Sequence, residues 1–202
     1  TPTVRFDGVV GGTNPLGAIA ITGALDLNAI IQKTTGSTAG ATSLTVSGIS
    51  NLGGDVNTTG GIQTYTGAVT VSGTGTRTLT GSTVTNTTTL DGGAIALVIT
   101  GNSSIGGAIS NATSFSVSGT TSLGASVTTT TGGQTYSGAV TLAASPTLTS
   151  PTGTILFSST VDGGFTLTIT NSGSTGDVTF TGAVGTTSLT GLTITTDILT
   201  AA

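Results

Sequence analysis

The chain has 202 residues and carries only three cations, Arg5, Lys33 and Arg77, against seven acids, all aspartate, for a formal charge of −4. Glycine supplies 34 residues, threonine 51 and serine 22, while Cys, His, Met, Trp and Glu are absent. This inventory excludes zinc centres, disulfide frameworks and imidazole or thiol chemistry, and three cations cannot neutralise a phosphate backbone, so no nucleic-acid partner is expected.

A mean hydropathy of +0.40 argues against disorder, because disordered polar tracts lack regularly placed aliphatic residues. The longest aliphatic stretch, from Ala94 to Ile99, falls far short of the roughly 20 residues a spanning helix needs, so no membrane insertion is expected. No basic region precedes an apolar run near Thr1, and a chain without Met reads as a processed product or an excised piece. The low net charge points towards assembly, or membership of a larger surface structure.

In chain order, eight hexapeptides share one pattern: small, apolar, small, apolar, Thr or Ser, Gly or Asn. They are AIAITG from Ala18, SLTVSG from Ser43, AVTVSG from Ala68, ALVITG from Ala96, SFSVSG from Ser114, AVTLAA from Ala139, TLTITN from Thr166 and GLTITT from Gly191. Their average spacing is about 25 residues, the scale of one coil of a repeat architecture. Successive side chains of a strand point to opposite sides. Pairs such as Ile19 and Ile21, Leu44 and Val46, Val69 and Val71, and Leu167 and Ile169 therefore form an expected core ladder. Ala20, Thr45, Thr70, Val98, Ser116, Thr141, Thr168 and Thr193 form the solvent side. A further aliphatic follows five units, at Leu27, Leu52, Ile105, Leu123 and Leu148, and marks a second buried strand in each coil. The Gly or Asn closing most units is expected to supply positive φ at a corner.

Longer echoes overlie this period. The segment QTYTGAVTV, from Gln63 to Val71, returns as QTYSGAVTL from Gln134 to Leu142, an offset of 71. The same offset carries Ser43–Gly48 onto Ser114–Gly119 and Asp91-Gly92-Gly93 onto Asp162-Gly163-Gly164. Val4 to Gly11 resembles Val178 to Gly185, an offset of 174. No helical period is sustained, and a unit this short cannot bury its apolar side alone. The expected fold is all-β: a single-stranded parallel β-helix, or β-solenoid, of about eight coils of roughly 25 residues, with the eight hexapeptides stacked in one column. Residues 1–202 read as one solenoid segment, part of a longer array or fibre.

TTGGQTYSGAVTLAASPTLTS, ending at Ser150, and VRFDGVVGGTNPLGAIAITG, from Val4 to Gly23, resemble repeats of large secreted bacterial adhesins of the filamentous-haemagglutinin-like and autotransporter-passenger type. The resemblance implies a right-handed β-helix, an extracellular or cell-surface location, and a role in adhesion or in holding a binding tip away from the cell. The expected function is a structural stalk or fibre segment without catalytic activity, cofactor or metal. The alternative is a subunit of a bacterial or archaeal surface filament assembling head to tail. An ice- or carbohydrate-binding module is a third reading. Expected partners are neighbouring solenoid copies end to end, by homo-oligomerisation or covalent continuation, and a host or cell-surface glycan or protein.

Several residues invite sharper readings. Tyr65 and Tyr136 would suit stacking on sugar rings, although repeat equivalence alone places them at matching corners beside the coil. Asp91 and Asp162 would suit calcium turns, but each stands alone where calcium wants several carboxylates, so an ordinary Asp-Gly turn is the plainer reading. Asp177 and Asp197, 20 residues apart, would form an acid pair if they met on adjacent coils. Thr78-Leu79-Thr80, Thr83-Val84-Thr85, Thr147-Leu148-Thr149 and Thr166-Leu167-Thr168 resemble flat threonine arrays that order water. The plainer reading is a strand with Thr outward. Asn57, Asn86, Asn102 and Asn111 open glycosylation sequons, which chance produces readily in so Thr-rich a chain.

Overall fold

A computed structural model describes residues 2–14, 16–32 and 40–201; Pro15 and Lys33 lie outside the described residues. Within them are 23 strands, paired in parallel, and no helix. The chain winds as a β-solenoid with three faces, visited in the order I, II, III on each turn.

Face I is a ten-stranded sheet running from Thr3–Phe6 through Ala24–Leu27, Ser50–Leu52 and Val69–Val71 to Thr166–Thr170 and Gly191–Thr195. Face II opens with the parallel bridges Val10–Ile31–Val56 and ends with Phe115–Val117, Gln134–Tyr136, Ile155–Phe157, Val178–Phe180 and Leu199–Ala201. Face III runs from Leu16–Ile21 and Ala41–Val46 to Thr121–Leu123, Val140–Leu142 and Val161–Asp162, closing at the Val161–Val184 bridge. Three long strands, Val56–Tyr65, Thr76–Asn86 and Ala96–Ile105, bend round the corner between faces II and III, and their register shifts there.

The alternation works as the sequence implies except in the first and last turns, where Ile19 and Ile194 are half-buried and Leu192 is exposed. Leu44, Val46, Leu97, Phe115, Val140 and Leu167 are fully or almost fully buried, as are Leu27, Leu52, Ile105, Leu123 and Leu148. None of the eight residues expected on the solvent side is buried. Thr, Val and Ile fit this surface because a branched Cβ packs well on a pleated sheet.

The expected stacking of the eight hexapeptides in one column is corrected. Units from Ala18, Ser43 and Ala139 lie on face III, those from Ala68, Thr166 and Gly191 on face I, and those from Ala96 and Ser114 on face II. Leu44 and Val46 stack not on Val69 and Val71 but on Gln63 and Tyr65, while Val69 and Val71 stack on Ser50 and Leu52. On face I, nine steps carry the ladder from Val4 to Ile194, so a turn averages about 21 residues rather than 25, and nine turns are complete with part of a tenth. The physical reason is that each turn holds three strands, not two. Every strand with one buried side obeys the same two-residue alternation, so a hexapeptide marks a strand and not a face. A gap near 25 residues is one long turn, as from Ile19 to Leu44, or four-thirds of a short one, as from Leu44 to Val69.

The corners are corrected in part as well. Gly23, Gly73 and Gly101 have positive φ, but Gly48 and Gly119 do not. Gly48 serves close approach instead: its N–H donates to Gly23 O at 2.8 Å, and a Cβ there would run into that same carbonyl.

A column of aromatic rings fills the interior beside face II. Phe115 meets Tyr136 edge-on at 6.0 Å, Tyr136 stacks on Phe157 at 5.1 Å, and Phe157 on Phe180 at 4.8 Å. Parallel pairing one strand above the next imposes this spacing, since adjacent strands lie about 4.8 Å apart.

Candidate functional surfaces

Tyr65 and Tyr136 lie inside the coil, fully buried, rather than beside it, and so are closed to a sugar. Each phenol donates to the glutamine two residues before it, at 3.0 Å to Gln63 Oε1 and 2.9 Å to Gln134 Oε1. Each glutamine in turn donates twice to backbone carbonyls: Gln63 to Val56 and Thr80, Gln134 to Val127 and Thr149. The cluster satisfies carbonyls that a corner would otherwise bury unpaired. Burial pushes both phenols above their ordinary pKa.

The Asp-Gly corners are hydrogen-bonded turns. Asp91 Oδ1 accepts from Gly93 N and from Asn111 Nδ2, each at 2.9 Å. Asp162 Oδ1 accepts from the Thr186 hydroxyl at 2.6 Å and from Thr187 N at 2.8 Å, and the Thr186 bond leads in holding its carboxyl below the usual range. The two corners stand on different faces, because Asp91 belongs to face I and Asp162 to face III.

Asp177 and Asp197 approach the same face on consecutive turns: Val178 pairs with Leu199, and Asp197 N donates to Gly176 O at 3.3 Å. Asp197 lines a shallow groove of about 320 Å³ with Ser172, Gly173, Ser174, Thr195 and Thr196. Among the described residues, no group of three or more His, Cys, Asp or Glu gathers as a metal site.

The threonine strings divide between faces. Thr78 and Thr80 lie on face II and Thr83 and Thr85 on face III. On face I, Thr147 aligns with Thr168 and Thr193, and Thr149 with Thr128, Thr170 and Thr195. These make a two-row patch of outward hydroxyls and methyls over the last turns. Of the sequon asparagines, Asn57 and Asn86 are buried, and Asn86 donates to Thr88 O and Gly107 O, whereas Asn102 and Asn111 are exposed.

Two polar clusters escaped the sequence reading. At the first, Arg77 points inward in the row of Leu97, with its guanidinium buried. It donates to Asp55 Oδ1 at 3.0 Å, Gly53 O at 2.7 Å and Ser72 O at 2.8 Å. At the second, Arg5 and Asp7 pair at 2.8 Å on the exposed end of face I, and the ladder continues through Asn28 and Asp26 to Asn51 and Ser72. The bond from Asn28 and the one from Arg5 hold the Asp7 carboxyl below its ordinary range. The parity of Arg77 with Leu79 was the available signal for the first cluster. The second needed the register between turns.

No protein-family model, curated protein or solved structure matches this chain.

Proposed function

We propose that the chain is a non-enzymatic structural segment of an extracellular bacterial adhesin-like β-solenoid, of the filamentous-haemagglutinin-like or autotransporter-passenger kind. Its mechanism is mechanical. The observation that carries this reading is the closed interior: parallel ladders run along all three faces and enclose one contiguous apolar column. Coil-to-coil hydrogen bonds satisfy the backbone along the ladders, which protects paired chain from proteases. Nine strand spacings give a rod of about 43 Å that spans distance and holds a binding element, for a host or cell-surface glycan or protein, away from the surface.

Force spectroscopy tests this directly. The rod should resist extension and then lose turns one after another, as expected of a stack with nearest-neighbour cohesion. Collapse at low force, or cleavage of a polysaccharide by the purified chain, would overturn it. The face I threonine patch favours a second reading, a module contacting ice or carbohydrate. Thermal hysteresis and glycan-array binding, each lost on Thr168→Lys, would support that reading instead.

A further inference from the structure

The rod is not uniform along its axis. Two sections can be compared: residues 50–121, in turns three to six, and residues 127–180, in turns seven to nine. Each is paired to further strands on both sides, so the comparison does not depend on where the chain ends.

Four observations set the first section apart. Its interior holds buried polar atoms without a hydrogen-bond partner, Ser50 Oγ, Arg77 Nε, Ser103 Oγ and Thr121 Oγ1, against Asn171 Oδ1 in the second. Ser103 and Thr121 are neighbours in one inward row, between Val84 and Val140. A buried group left unpaired has lost its bonds to water and gained none in return. The register also breaks in the first section, between Thr58 and Ile62, between Thr100 and Asn102, and between Ile109 and Ala112. The described ladders within residues 127–180 run without a shift. Ala94 and Asn111 hold a left-handed φ of 57°, which costs a residue that carries a side chain; no other non-glycine among the described residues does so. Finally, the stacked rings Tyr136, Phe157 and Phe180 all belong to the second section. Tyr65 and Phe115, in the first, stack face to face on no ring among the described residues.

We propose that the rod has a built-in yielding section: the turns of residues 50–121 open ahead of those of residues 127–180. In a stack held by nearest-neighbour contacts, the turns with the poorest internal pairing open first. The inference rests on the rod reading above and adds where the rod gives way. Its consequence is extension without loss of the whole fold. Opening the section releases about 240 Å of extended chain in place of about 19 Å of rod, while the aromatic section stays wound.

Native-state hydrogen exchange of the intact chain, read by mass spectrometry of its peptides in rising sub-denaturing urea, tests this. Amides of Val56–Tyr65, Thr76–Asn86 and Ala96–Ile105 should exchange about tenfold faster than those of Gln134–Tyr136, Ile155–Phe157 and Val178–Phe180. Combining S103A with T121V removes two unpartnered hydroxyls at nearly constant shape. It should slow exchange in the first section about tenfold and leave the second unchanged. F157L breaks the ring stack, so it should speed exchange in the second section and narrow the gap. Equal exchange in the two sections, earlier exchange in residues 127–180, or no selective slowing by S103A with T121V would overturn the yielding section. Resistance of the whole chain to force is measured separately, so failure here and failure of the rod reading remain distinct.

Discussion

Tyr65 and Tyr136, 71 residues apart, make the same hydrogen bond to the same neighbour inside the rod, yet lie on different faces, Tyr65 on III and Tyr136 on II. The 71-residue repeat therefore advances eleven faces, three turns and two-thirds, and rotates each motif round the axis. What the repeat preserves is a strand, a corner and the next strand. Val56 to Tyr65 and Val127 to Tyr136 have the same length, the same glutamine clamp and the same threonine bond to a glycine carbonyl, Thr58 to Gly61 and Thr129 to Gly132. Gln63→Leu and Gln134→Leu should each cost about 2–4 kcal/mol, since each strands two carbonyls and a phenol. The sites are four turns apart, so the double variant should be close to additive in denaturant unfolding.

The same burial gives a pH prediction. Both phenols have raised folded pKa values, with desolvation as the cause. A group of this kind contributes stability that is complete below its unfolded pKa of about 10 and lost as pH rises above it. Each tyrosine should remove about 1.4 kcal/mol per pH unit above that point while the folded phenol stays protonated. Phenolate absorbance should appear only together with loss of the β-sheet circular dichroism signal. Phenolate forming near pH 10 in the intact fold would contradict the buried positions.

Side-chain parity was legible in the sequence, and face assignment was not. Alternation alone placed Leu27, Leu52 and Leu148 inside, and three hexapeptide pairs do stack as neighbours: Ile19 on Leu44, Leu97 on Phe115, Leu167 on Leu192. Which face a strand occupies depends on corner length, and corners such as Gly60-Gly61 carry no apolar pattern to read. Gln63 and Arg77 share parity with Tyr65 and Leu79, but the sequence reading gave them no place inside the coil, because polar side chains are usually solvated. Their burial is compensated in part from the neighbouring turn, by Thr80 O for Gln63 and by Gly53 O and Asp55 for Arg77, partners that only the register reveals.

Corner glycines separate into two kinds, and substitution should tell them apart. A Cβ on Gly48 would meet the backbone of Gly23 and Ala24, neither of which can swing aside, while one on Gly164 or Gly17 would meet nothing within 4 Å. Gly48→Ala should destabilise by about 3 kcal/mol or more through forced backbone movement. Gly164→Ala should fall within about 0.5 kcal/mol of the parent, as surface changes do. Equal effects in denaturant titration would mean that the III-to-I corner is looser than described.

Arg77 stitches together the corner between faces I and II, and its partners decide which substitution is tolerated. One guanidinium nitrogen holds Asp55, the other holds Gly53 O and Ser72 O, and Nε is buried without a partner. Asp55 also accepts from Thr78 N at 2.9 Å, so removing it strands a backbone donor as well as a buried cation. Its side chain is 36% exposed, which screens the loss, and Asp55→Ala should cost about 1–2 kcal/mol. Arg77→Lys should cost at least as much, because a single ammonium cannot reproduce the fork across three acceptors. Arg77→Met keeps a stem in the row of Leu97 and removes the unpaired Nε, but leaves two carbonyls bare. It should fall below the lysine variant in cost, and Asp55→Ala should then add less on the methionine background than alone. A double-mutant cycle by urea unfolding measures this coupling; strict additivity would mean that the Arg77–Asp55 contact contributes nothing to the corner.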